Sequence, residues 1–210
     1  MTSCHRGTKM ERENMEEKNT IIKCYHGSRV EVVHPKVSYS RNDIDFGIGF
    51  YLTQDEVMAK KWACNKATSI LNCYELDLNG LNVYKFKPDE EWIYYCIANR
   101  FQELPKFNDK EYDVIIGPTA DDKLFSTLDM FNDGLLSVDD TIKIVNCMNY
   151  TDQIAIKNQK AIDNALKYIG SKELTGQERQ HYIELFRNDR NEANQKTQEL
   201  IRKIKRGGRI

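Results

Sequence analysis

The run Phe46-Gly47-Ile48-Gly49-Phe50-Tyr51-Leu52-Thr53-Gln54-Asp55-Glu56 constrains the fold more than any other stretch of this chain. Two glycines two positions apart let the backbone turn tightly and admit close neighbours. Phe50–Leu52 reads as a short strand. Thr53-Gln54-Asp55-Glu56 then reads as a capping box, in which the threonine oxygen caps the first helical turn and the glutamate reaches back. Val57, Met58, Ala59, Trp62, Ala63, Ala67 and Ile70 recur near helical spacing, so the helix is expected to run to about Leu71.

Between residue 20 and about residue 170, other short β-rich runs alternate with helical patterns. Ile21–His26 reads as a strand ending at a His-Gly pair. Cys73–Leu78 alternates, with Tyr74, Leu76 and Leu78 on one face, and a turn at Asn79-Gly80 joins it to Asn82–Phe86 as a hairpin. Tyr112–Ile116 is an apolar strand closed by Gly117-Pro118. Gln153–Ile156 is the last strand, with Ile154 and Ile156 inward and Gln153 at its mouth. Helices are expected from Asp89 to about Arg100, and over Asp121–Met130, Ser137–Cys147 and Gln159–Tyr168. No regular strand-helix-strand repeat emerges, which disfavours a doubly wound parallel sheet. A split, mostly antiparallel sheet with flanking helices, of the α+β class, fits the pattern.

At 210 residues the chain suffices for one domain and a helical appendage. Residues 1–19 are polar without periodicity and read as a flexible arm, and residues 20–170 form the domain. Residues 171–210 read as a polar helical extension with a thin apolar stripe of Tyr182, Leu185, Phe186, Leu200, Ile201 and Ile204. The basic end IRKIKRGGRI suits a helix C-terminus, with a phosphate-backbone contact as the alternative. A formal charge of −1 gives no general attraction to nucleic acid or anionic membrane. No apolar run approaches the roughly 18 residues of a membrane span. The N-terminal stretch also lacks the apolar segment of a secretory signal, so a cytoplasmic location is expected. Six cysteines without a C-x-x-C pair read as reduced, and four histidines without ligand-like spacing predict no metal.

The chemistry-bearing residues cluster early. A neutral imidazole at His26 can donate to a sugar hydroxyl without adding charge. Gly27 lets its backbone approach a primary amide. Tyr51 and, eleven residues on, Trp62 offer two flat faces, and a helix packed across the sheet would return the indole opposite the phenol. Such a set clamps a nicotinamide riboside, which points to NAD and to chemistry at its glycosidic bond. The plain alternative is a strand-end histidine and two core aromatics.

His-Gly-Ser, then Gly-x-Gly-x-Tyr, then an aromatic eleven positions on resembles the His-Tyr-Glu clade of ADP-ribosyltransferases. That clade includes the diphtheria-toxin-like and poly(ADP-ribose)-polymerase-like enzymes. More narrowly, YHGS, SRxxxDFGxGFYLTxDxxxAxxWA, DEEWIYYCIANR and YDVIIGPTADD are similar to a bacterial family of ADP-ribosyltransferase-like domains of unknown function, DUF3990-type, over roughly residues 20–170. The resemblance implies an ADP-ribosyltransferase-like fold, NAD as substrate, and transfer of ADP-ribose to a protein or nucleic-acid acceptor. The contexts of such domains imply a toxin with an antitoxin partner.

By the same resemblance, His26 bonds the nicotinamide ribose, the Gly27 main chain holds the carboxamide, and Tyr51 and Trp62 stack on the ring. Ser28 is a candidate carboxamide or ribose contact, Gly49 belongs to the binding loop, and Arg41 and Asp45 fall on the ribose and adenosine side. The clade's glutamate is matched by Gln153, a departure that implies single transfers at most and predicts that Gln153→Glu raises NAD cleavage. The acceptor's proton is then assigned to Asp121 or Asp122, to Asp152, or to the target, while a helix-capping role is the alternative for Asp121. Arg100 reads as compensating a helix dipole, with a pyrophosphate contact as the alternative. An NAD-binding or interaction module without turnover, and an NAD glycohydrolase, stand beside the transferase reading.

Overall fold

The computed structural model describes residues 20–39, 41–64, 68–102, 107–120, 125–147 and 150–206. Its strands are β1 (Ile21–Ser28), β2 (Phe50–Thr53), β3 (Ile70–Asp77), β4 (Val83–Lys85), β5 (Val114–Pro118), β6 (Asp152–Ile156) and β7 (Leu166–Glu173). They form one sheet in the order β4-β5-β6-β2-β1-β3-β7, antiparallel throughout except for β4 beside β5. The helices are α1 (Glu56–Cys64), α2 (Glu90–Arg100), α3 (Phe125–Asn132), α4 (Val138–Asn146), α5 (Gln159–Ala165) and α6 (Gly176–Lys205). The class is α+β with a mostly antiparallel sheet. The arm expected at 1–19 lies outside the described residues, as does the start of the helix expected from Asp121.

Pairing is sparsest near the middle of the sheet. β1 pairs along its whole length with β3, from Ile21↔Asp77 to Ser28↔Ile70. Toward β2 it has one register pair, Tyr25↔Thr53. β2 is matched instead to β6, from Phe50↔Ile156 to Thr53↔Gln153. Opposed pairs are the unit of sheet stability, so the β1–β2 junction is a weak line.

Strand alternation sorts the side chains into two cores. Cys24, Phe50, Leu52, Tyr74, Leu76, Ile154 and Ile156 pack with Ala161 and Ile162 of α5. Phe46, Trp92, Ile93, Ile115, Leu128, Ile144, Ala155, Leu200 and Ile201 form the core shared by α2, α3, α4 and α6. Each large side chain so buried contributes roughly 1.5–3 kcal/mol. α1 crosses β1 closely: a Cβ on Gly27 would stand 2.0 Å from Ala59 O and 2.6 Å from Ala63 N. Packing alone therefore demands glycine at position 27.

Several local expectations give way to tertiary pairing. Asp55, not Thr53, caps α1, its Oδ1 accepting from Val57 N at 2.8 Å and Met58 N at 3.1 Å. The Thr53 hydroxyl is buried in β2, donates to Asp152 O at 3.0 Å, and accepts from Asp55 N at 3.1 Å. Glu56 pairs with Lys60 instead of reaching back. α1 ends at Cys64, short of Leu71, because Ile70 and Leu71 pair with Ser28 and Gly27. The expected hairpin is absent: β3 pairs with β1 and β7, while β4 runs parallel to β5 at the far edge. The helix expected through Tyr168 stops at Ala165, and the chain continues as β7 along β3.

The sheet thus extends past residue 170, and α6 begins at Gly176 behind a reciprocal Thr175–Glu178 capping box. Tyr182 and Ile183 of α6 pack on Ala63 and Cys64 of α1, and Lys61 meets Asp189 at 2.6 Å. Among the described residues, no helix is long and apolar enough to cross a membrane. Cys24, Cys64, Cys73, Cys96 and Cys147 are free thiols.

Candidate functional site

The glycine loop before β2 is anchored by α2 and β6. Asp45 is buried; its Oδ1 accepts from Arg100 Nε at 2.8 Å, with Nη2 at 2.6 Å. Its Oδ2 accepts from Ala120 N at 2.8 Å and from Gln153 Nε2 at 2.6 Å. Asn99 Nδ2 donates to Asp45 O at 3.2 Å. Gly47 has φ +63°, and a Cβ there would lie 2.6 Å from Asn99 Oδ1, so conformation and contact both call for glycine.

Tyr51 turns back onto this loop. Its hydroxyl accepts from Phe46 N at 3.0 Å and donates to Gly47 O at 2.7 Å. Burial, reinforced by the Asp45 charge, holds the phenol well above its ordinary pKa, so it remains a donor into alkaline solution.

The register sets Tyr51 opposite Ala155 and Thr53 opposite Gln153, which puts Tyr51 and Gln153 on one face of the sheet. Together with Trp62 from α1, and with Arg41, Asp45, Arg100 and Thr119, they line a cavity of about 350 Å³. Gln153 has a defined amide orientation. Its Nε2 lies 2.6 Å from Asp45 Oδ2 and 3.4 Å from Pro118 O, both of which can only accept. Its Oε1 has no hydrogen-bond partner among the described residues and is an acceptor on the cavity side chain. Trp62 Nε1 is a buried donor without an acceptor among the described residues.

His26 lies on β1, next to its sparsely paired junction with β2. Its Nδ1 is 2.8 Å from Tyr51 O, and its ring centroid is 4.7 Å from that of Phe50. A carbonyl only accepts, so Nδ1 carries the proton and Nε2 of the neutral ring is an acceptor. The donor proton expected to meet a sugar hydroxyl is instead engaged by the Tyr51 carbonyl.

The fold brings Arg41, Asp45, Tyr51, Trp62 and Gln153 around one cavity. His26, Gly27 and Ser28 on β1 are outside its described lining. Alternation from Tyr25↔Thr53 puts the His26 side chain with Phe50 on the opposite face from Tyr51 and Gln153, so the fold does not bring the imidazole into this cavity. The Ser28 hydroxyl donates to Val30 O at 2.5 Å and accepts from Asn72 Nδ2 at 3.0 Å, which ties down the turn after β1. Gly49 packs against β6, where a Cβ would be 3.1 Å from Ile156 O. Arg41 is exposed and pairs with Asp43 at 2.8 Å. Asp152 pairs with Lys85 at 2.8 Å. Asp121 and Asp122 lie outside the described residues. Sequence reasoning missed Arg100 as the partner of Asp45, and Lys157 beneath the loop. No spacing rule links position 45 to position 100, and a helix-end arginine already has a local explanation.

An α+β domain with a seven-stranded, mostly antiparallel sheet and a polar-aromatic cavity against one of its faces is the class that fold and site define. The chain belongs to the family described as protein of unknown function (DUF3990), which matches residues 22–168. No curated protein and no solved structure matches it.

Proposed function

We propose that the chain is an NAD-dependent mono-ADP-ribosyltransferase that cleaves the nicotinamide–ribose bond and passes ADP-ribose to a protein or nucleic-acid acceptor, as the toxin of a toxin–antitoxin pair. The observation that carries this reading is the convergence of Tyr51, Trp62 and Gln153 on one cavity. Two aromatic walls suit a flat pyridinium. Gln153 Oε1 is an acceptor for a ribose hydroxyl, and its lone pairs favour the positive charge that grows on the sugar as nicotinamide departs. The buried Trp62 Nε1 is a donor that a ligand acceptor would satisfy.

A second reading, NAD binding with little turnover, is favoured by the amide at position 153. Among the described lining residues, Asp45 is engaged by Arg100, Ala120 N and Gln153, and Asp43 by Arg41, so neither is poised as a base. The purified protein incubated with NAD separates the readings. Free nicotinamide together with label fixed on a lysate macromolecule supports the transferase. Nicotinamide with free ADP-ribose indicates hydrolysis, and NAD binding without nicotinamide release indicates the binding module.

A further inference from the structure

A larger cavity, about 500 Å³, lies against the same loop and is lined by residues including Gly47, Ile48, Asn99, Gln102, Asp109 and Lys157. Its polar groups are largely matched to one another. Asn99 Nδ2 bonds Tyr95 O at 2.9 Å, and Gln102 Nε2 bonds Asn42 O at 2.8 Å. Such a wall offers a ligand little to satisfy, but it contains a buried ammonium. Lys157 Nζ lies 3.0 Å from Asp109 Oδ2 and 3.5 Å from Tyr95 Oη, and it donates to Phe46 O. Tyr95 Oη in turn donates to Asp109 Oδ2 at 2.8 Å. Phe46 is therefore gripped at both ends: its carbonyl accepts from Lys157, with the Tyr95 hydroxyl 3.3 Å away as a second, longer donor, and its N–H donates to the Tyr51 hydroxyl.

We infer that Lys157 is a positioning residue for Tyr51. Its ammonium, held by Asp109 and Tyr95, fixes the Phe46 carbonyl and with it the two loop groups that set the phenol ring. The catalytic relevance rests on the proposed stacking role of Tyr51, whereas the mechanical link does not. A methionine at 157 keeps the side-chain length but removes the donor, leaving Phe46 O and Asp109 without it. Because this bond is charge-assisted and partly buried, its loss should loosen the loop by roughly tenfold.

Amide exchange on the full chain without ligand tests the link, followed at Phe46 and, as controls, at Ile115 and Ile154. Lys157→Met should speed exchange at Phe46 by roughly tenfold with the controls unchanged. Lys157→Arg should restore most of the protection, and Asp109→Asn should give an intermediate rate. Nicotinamide titrated into the same proteins should bind Lys157→Met roughly tenfold more weakly. Unchanged Phe46 exchange in both Lys157→Met and Asp109→Asn overturns the inference. Should Lys157→Met fail to fold, Asp109→Asn carries the test, with the same reading of Phe46. Faster Phe46 exchange in a protein that binds no nicotinamide in its native form would uphold the link and defeat the NAD reading.

Discussion

Nδ1 of His26 meets the carbonyl oxygen of Tyr51 at 2.8 Å, across the line where β1 and β2 part. This side-chain bond closes a junction that the backbone closes at Tyr25↔Thr53 alone. It also fixes which ring nitrogen is the acceptor. His26→Ala is expected to abolish nicotinamide release from NAD while circular dichroism shows a native fold. Full turnover by the soluble variant would remove His26 from the mechanism.

Tyr51 has two separable roles, a ring face and a hydroxyl bonded to the loop. Tyr51→Phe keeps the ring and loses the bonds to Phe46 N and Gly47 O, so unfolding in urea should show a loss of about 1–3 kcal/mol. Tyr51→Ala removes the face as well, and NAD cleavage should vanish. Equal NAD binding by the alanine and wild-type proteins in calorimetry would show that the ring does not stack on the ligand.

The structure changes the expectation for Gln153→Glu. The sequence alone predicts a gain of cleavage from the added carboxylate. Nε2 of Gln153, however, lies 2.6 Å from Asp45 Oδ2, so glutamate would set two carboxylates in contact. One of the pair must then keep its proton. We expect a destabilised protein with no rate gain at neutral pH, and partial recovery of stability in the Gln153→Glu, Asp45→Asn double variant. Additive effects in that double-mutant cycle would show that the two side chains are not coupled.

The buried phenols predict alkaline lability. Burial raises the pKa values of Tyr51 and Tyr95 above the ordinary value of 10.0. In the unfolded chain these groups lose their protons first, so native stability is full below about pH 10 and falls as pH rises further. The slope should be about 1.4 kcal/mol per pH unit for each tyrosine. Guanidinium unfolding at pH 8, 9.5, 10.5 and 11 would reveal it, and Tyr51→Phe should flatten part of it. An unaltered slope in that variant would mean that Tyr51 titrates normally.

What could be read from the sequence was local. The aromatic strand at Phe50, the helix carrying Trp62, and the inward Ile154 and Ile156 each follow a short-range period, and the structure contains all of them. The same reasoning puts Gln153 near a strand end, where β6 holds it. Distant pairing was not legible. Leu166–Glu173 has a polar, helix-compatible composition, yet β3 takes it as an edge strand. Val83–Lys85 follows an ideal turn signal and still joins β5. The salt bridge between Asp45 and Arg100 spans 55 positions, and no periodicity encodes it.

The family match ends at residue 168, inside β7, and α6 lies wholly beyond it. A chain trimmed to that limit would bare the outer edge of β3 from Ile70 to Cys73 and uncover the apolar pocket that Leu200 and Ile201 fill. The helix bearing Trp62 would lose its outer support at Lys61, Ala63 and Cys64. The family-matched stretch thus leaves out part of its own scaffolding, since α6 props the helix that carries the cavity's indole.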